Sequence, residues 1–202
     1  MPLIIHPSYF VDVESLIHIF HYDGLLVDAS DSYVKQTYRS RCYIAAANGP
    51  LTLNIPIVHN GKVTSMLYKD VPIDNSQPWA SNHLKSIASA YKSSPYYEYY
   101  EDDLKRLYDH IPDRLMDWNI KTMQWLLSQL EMKDEFAYAE EYLGNNVATY
   151  LITAKKLSTQ NIDPYMQVFQ EKHGFQTPMS GLDLLFNLGP SSRAYLKNVN
   201  LS

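Results

Sequence analysis

Arg39 and Arg41, two residues apart in Lys35-Gln-Thr-Tyr-Arg-Ser-Arg-Cys42, are the side chains best suited to hold an anion. If Arg39 to Ala45 is extended, period-2 geometry puts Arg39, Arg41 and Tyr43 on one face. Neighbouring guanidiniums repel unless something anionic lies between them, and carboxylate or phosphate matches their donor fork. The plainer reading is a pair of solvated arginines bridged to some of the 22 acidic residues. His83 is the leading general acid or base. Trp79, His83, Ile87 and Tyr91 recur every fourth residue and so share one helix face. A partly buried histidine near a tyrosine has its pKa placed for proton transfer near neutral pH, which makes His83 and Tyr91 the catalytic candidates and puts Trp79 in the binding set. A core histidine with one backbone hydrogen bond is the plain alternative.

His6 and Tyr9 follow the first predicted strand, at the carboxyl end where open α/β sheets place ligands. A strand end with a packed aromatic explains them equally. Asn187 lies on an otherwise apolar helix; buried there it needs partners, and it holds either a ligand or a neighbouring loop. Cys42 alternates to the face opposite Arg41 and is rejected as a nucleophile. Gly189-Pro-Ser-Ser-Arg193 is read as a helix break. Neither HExxH nor HxxxH, Walker A, GxGxxG or GxSxG occurs, and the single cysteine excludes an internal disulfide and a Cys-type metal motif.

The bulk numbers bound the function classes. A net charge of −5 argues against a general nucleic-acid binder, because there is no basic excess to displace counterions from phosphate. No run of about 18 apolar residues exists for a membrane span, and the N-terminus lacks a signal-peptide pattern, so a cytoplasmic location is expected. Tyrosine is in excess, 17 against 6 phenylalanines, and a ring with a hydroxyl suits either a polar cleft or a core.

The elements that must position these residues read as a mixed α/β (α+β) fold. Leu3-Ile-Ile-His6, the Val11–Phe20 helical pattern and Gly24–Asp28 form a βαβ start with parallel strands. Asn48-Gly49 and Asn60-Gly61 are turn signals twelve residues apart, predicting a three-stranded antiparallel meander that includes Leu51–Ile57 and Val63–Tyr68. A linker, Asp74–Pro78, leads to a helical layer: one helix from Trp79, one opened by Ser94-Pro95 and running to Tyr108, and one capped by Asp113. Lys133–Leu143 reads as helix or surface loop, Val147–Ile152 as a strand, and Tyr165–Lys172 as a short helix. Ser180-Gly-Leu-Asp183 has capping-box form ahead of a Leu182–Leu188 helix. One domain spans 1–202, with a β-rich half (1–75) and a mostly helical half (79–202).

Five segments carry a family resemblance: His6-Pro-Ser-Tyr-Phe10, Lys35–Cys42, Asn48-Gly-Pro-Leu-Thr-Leu-Asn-Ile-Pro56, Trp79-(x3)-His83-(x7)-Tyr91-(x3)-Pro95-Tyr96, and Ser180–Pro190. Together they resemble the WbqC-like family of bacterial proteins. Many members continue the first segment with Pro-Trp, where this chain has Val11-Asp12. The resemblance implies a place among genes for O-antigen and other surface polysaccharides, and attachment of a small acyl or aminoacyl group to an amino sugar. It brings no catalytic residues with it.

The expected activity is therefore transfer to a nucleotide-linked amino sugar, with a small-molecule substrate and acyl donor as partners. Arg39 and Arg41 would clamp a diphosphate or carboxylate, Gln36 and Tyr9 would orient the sugar, and His83 would take the proton of the attacking amine. A non-catalytic sugar- or nucleotide-binding module is the alternative. Cofactor, use of ATP and oligomeric state stay open.

Overall fold

Leu3–Ile5 (β1), Val13–His21 (α1) and Leu25–Val27 (β2) build the βαβ unit that the N-terminal pattern implies. β1 and β2 are parallel, with Leu3 opposite Leu25 and Ile5 opposite Val27. Asp12 caps α1: its carboxylate accepts from the Ser15 N–H at 2.9 Å and the Ser15 hydroxyl at 3.0 Å. The computed structural model describes residues 2–58, 66–139, 151–154 and 162–201.

Arg41–Ala46 (β3) and Gly49–Asn54 (β4) form an antiparallel hairpin. Its two-residue turn is Ala47-Asn48, and Gly49, at φ +102°, opens the return strand. The expected three-stranded meander is not built. Tyr68–Asp70 is a 3-10 turn, and Leu67 bridges to Ser32 instead of to β4. The second turn signal, Asn60-Gly61, lies outside the described residues. Beyond Asn54 the chain leaves the hairpin, and Ile57 bridges to Ile73.

The helical layer follows as Trp79–Tyr91 (α2), Tyr97–Tyr108 (α3) and Leu115–Gln129 (α4). Two starts differ from expectation. The Ser94 hydroxyl donates back to the Tyr91 carbonyl at 2.7 Å and closes α2, so α3 begins two residues past Pro95. Arg114, not Asp113, occupies the cap position of α4.

Phe136–Tyr138 (β5) then adds to the free side of β2 in parallel, giving the sheet order β1-β2-β5. This corrects the helix-or-loop reading of that stretch. Three residues, of which Ala137 and Tyr138 are exposed, give no readable period; backbone pairing alone defines the strand. Leu151 and Ile152, the described end of the strand expected over Val147–Ile152, belong to no strand.

Gln170–His173 (α5) is a single turn, shorter than expected, followed by Gly181–Leu188 (α6) and Ser191–Asn198 (α7). A Cβ at Gly181 would stand 2.6 Å from a Leu16 methyl and 2.7 Å from a Leu126 methyl, so glycine lets α6 press against α1 and α4. The Ser180 hydroxyl accepts from the Leu182 N–H at 3.2 Å, a cap in part. The other half of the capping box is absent: the Ser180 N–H donates to Tyr43, and Asp183 turns inward. One buried apolar core runs from Leu3 to Val199.

Candidate functional site

Residues 6–12 join β1 to α1, and all seven are buried. A buried loop must find partners for its backbone groups, because water cannot supply them. Distant segments supply them here. The Tyr68 hydroxyl donates to the Pro7 carbonyl at 2.7 Å, Ser180 Oγ to Phe10 at 2.9 Å, and the Gly181 N–H to Val11 at 2.7 Å. The Tyr9 N–H donates to Tyr38 at 2.9 Å. Phe10 takes φ +41°, a left-handed conformation uncommon for a side chain of its size.

His6 heads this loop, beyond the carboxyl end of β1. The residue is 4% exposed, and neither ring nitrogen makes a well-formed hydrogen bond, although the Asp28 backbone lies close enough to favour the protonated ring. Asp31 Oδ2 is 3.8 Å from Nδ1. Burial, helped by the Arg39 charge and opposed by Asp31 and Asp28, pulls the pKa down to about 4, so the ring is neutral at physiological pH. It borders a cavity of about 20 Å³, more than the roughly 10–15 Å³ that one water requires. Ser8 and Ser15 are its other polar walls. The remainder is apolar: Ile5, Val11, Ile19, Met123, Leu151 and Ile152.

Arg39 stands behind His6. Its guanidinium is fully buried, donates to the Ser32 carbonyl at 2.8 Å, pairs with Asp31 and lies 4.7 Å above the Tyr68 ring. From α4, the Asn119 amide donates to the Arg39 carbonyl at 2.6 Å and to the Tyr68 hydroxyl at 2.5 Å. The expected arginine clamp therefore does not form. Arg39 lies in a turn ahead of β3, outside the alternation that would align it with Arg41; both its terminal nitrogens bond to the protein, and its Nε is buried without a partner. Arg41 is half-buried and makes no ion pair among the described residues; its Nε is buried without a partner. Gln36 is exposed in the preceding turn, at φ +60°.

His83 is elsewhere. It is buried, and its Nδ1 lies 2.8 Å from the Tyr9 hydroxyl, which is in turn hydrogen-bonded to the Tyr108 hydroxyl. The Trp79 ring packs edge-on at 5.2 Å. Burial lowers its pKa to about 4, while the Asn54 backbone acts in the opposite sense, as a carbonyl accepting the Nε2 proton does. That leaves Nδ1 as acceptor, so Tyr9 donates to His83 and Tyr108 donates to Tyr9. The result is a directed chain linking α3, the buried loop and α2.

The remaining expected residues scatter as well. Trp79 donates to Asn75 at 3.0 Å from within the core. Tyr91 is fully buried; its hydroxyl donates to Asp183 at 2.9 Å and accepts from the Ala45 N–H at 3.1 Å. Tyr165 and Gln167 donate to the same carboxylate, both at 2.7 Å. The Asn187 amide donates to the Asp183 carbonyl at 2.7 Å, and the residue edges a groove of about 540 Å³ that shares no lining residue with the His6 cavity. His83, Tyr91, the two arginines and Asn187, the residues expected to carry the chemistry, thus lie in separate places. Ser8, Ser15, Asp31 and Met123 were missed, and nothing in their spacing marks them.

The WbqC-like protein family model matches residues 16–161, more than half of the chain. The chain belongs to the WbqC-like protein family. The matched span of this WbqC-like protein contains the hairpin, the Arg39 turn and the helical layer, while His6 lies ahead of it. No curated protein and no solved structure matches. Among the described residues, no helix is long and apolar enough to cross a membrane.

Proposed function

We propose that this WbqC-like protein is a transferase that places an acyl or aminoacyl group on the amine of a nucleotide-linked amino sugar, in the assembly of surface polysaccharide such as O-antigen. The reaction takes place at the mouth of the His6 cavity. What carries the reading is a neutral, buried imidazole, approached by the Asp28 backbone but making no well-formed hydrogen bond, on the wall of a cavity beyond the carboxyl end of β1. Native interiors pair their buried polar groups, and an unpaired one in a cavity favours a ligand that completes it. The chain acts as one cytoplasmic domain, in keeping with its continuous core.

The amine nitrogen attacks the carbonyl carbon of an activated acyl donor, a thioester in the simplest case. A C–N bond forms and the C–S bond breaks. His6 takes the proton lost by nitrogen and returns it to the leaving thiolate. An anion arriving near the ring raises its affinity for that proton. Arg41, without an ion pair among the described residues, meets the phosphates, and Gln36 meets the sugar. His83, Tyr9 and Tyr91 act as positioning residues: the first two fix the loop that presents His6, and Tyr91 ties α2 to α6 through Asp183.

Turnover of nucleotide amino sugars with thioester donors tests this. His6→Gln should lower kcat by about 10²–10⁴-fold, the usual contribution of a general base, with the fold intact. Unchanged kcat overturns the assignment. A non-catalytic binding module is the second reading, favoured by the sealed position of His83; under it, nucleotide sugars raise Tm but no donor is consumed.

A further inference from the structure

Resting on the reading of the His6 cavity as the site of transfer, we infer that the transferred group is a neutral acyl group of two carbons, its methyl inside the cavity and its carbonyl at the His6 mouth. The volume is the first reason. About 20 Å³ is less than twice what a single water occupies, so only one or two non-hydrogen atoms enter. A sugar, a nucleotide or a branched aminoacyl side chain stays outside.

The walls are the second reason. Val11, Ile19, Met123 and Ile152 line the space with hydrocarbon, and none of the described lining residues carries a carboxylate. The acids nearby are engaged elsewhere: Asp31 with Arg39 as well as His6, Asp12 with Ser15, and Asp28 with the Ser30 N–H at 3.0 Å; the fully buried Glu14, ahead of Ser15 on α1, is not free either. An aminoacyl ammonium entering here would lose water without gaining a paired carboxylate, whereas a methyl gains by leaving water. His6 and Ser8 lie where a carbonyl oxygen or the departing proton needs a partner.

Met123, 1% exposed on α4, is the flexible wall that sets the length limit. The test uses simple amides as probes and the Ile19 methyl as a ¹³C NMR reporter, in the wild-type chain and in Met123→Ala. Acetamide should shift that methyl in the wild type, with glycinamide and butyramide at least tenfold weaker, and Met123→Ala should shift the preference to butyramide. Glycinamide or butyramide binding the wild type as tightly as acetamide, or silence towards every amide, overturns the inference. The outcomes separate from those for transfer itself: His6-dependent turnover with a longer or aminoacyl donor keeps the transferase and sinks the two-carbon limit. Acetamide binding with no turnover does the reverse.

Discussion

His6 and His83 are both buried, both neutral and both carry a pKa lowered to about 4, yet they belong to opposite kinds of surroundings. The ring of His83 has Tyr9 on one nitrogen and the Asn54 backbone at its other side, within a tyrosine chain that crosses three elements. That of His6 makes no well-formed hydrogen bond, the Asp28 backbone and Asp31 only approaching it, and has a cavity beside it. Burial and pKa alone would rank the two alike; satisfaction of the ring nitrogens tells them apart. A structural histidine uses its hydrogen bonds on the protein, and a binding one keeps them for something else.

What the two share gives the largest expected effect. Above pH 6.5 neither the folded nor the unfolded chain protonates them, and the shifts contribute nothing. Between pH 6.5 and about 4 the unfolded chain takes up protons that the folded chain refuses, so stability falls, and below about 4 the loss levels off. Each histidine contributes about 1.4 kcal/mol per pH unit inside that window. Urea titrations across it should show the decline, opposed by the raised pKa of the buried Asp183 carboxyl, and His83→Gln should make it shallower by about 1.4 kcal/mol per pH unit. An unchanged slope in that variant would show that His83 is not held neutral.

The two arginines make the same contrast at a similar cost for the one that is buried. Arg39→Ala strips the partner from Asp31, empties the space over Tyr68 and leaves the Ser32 carbonyl unpaired, so a loss of about 3–4 kcal/mol is expected in denaturant unfolding. His83→Ala follows, at about 2–4 kcal/mol, from a cavity plus an unpaired Tyr9 hydroxyl. A loss below 1 kcal/mol in His83→Ala would mean that the tyrosine chain does not hold the buried loop.

How much of this was legible in the sequence depended on range. The α2 face carrying Trp79, His83 and Tyr91 was readable because its period is local, and so was the parallel β1–β2 pairing, which follows from a short crossover. The partner of His83 is 74 residues away, and no spacing along α2 announces Tyr9. Ser94 and Asp183 were read as starting helices because their types suit caps; one closes the helix before it, and the other gathers two tyrosines and a glutamine. Polar residues compete for several local bonds, and tertiary packing decides among them. β5 had no pattern to read, since a three-residue strand with two exposed positions takes its identity from its neighbour.

His6→Leu reverses the sign. Replacing two buried ring nitrogens that make no well-formed hydrogen bond with hydrocarbon should leave the protein as stable as before or more stable by about 1 kcal/mol, while transfer from thioester donors is lost. A destabilisation like that of His83→Ala would place His6 among the structural residues.

Arg41→Ala is the smallest change and sharpens the contrast from the other side. A half-buried guanidinium without an internal ion pair contributes little to the fold, so stability should move by no more than about 0.5 kcal/mol. Its effect belongs to binding: a phosphate met by a lone guanidinium loses affinity as salt screens the pair, and the variant should lose both affinity and most of that salt dependence. Calorimetric titration of a nucleotide sugar at low and high salt separates the two. If Arg41→Ala binds with unaltered salt dependence, the anion lies elsewhere, and since Arg39 is already committed inside the protein, the phosphate contact would have to come from a residue outside the hairpin.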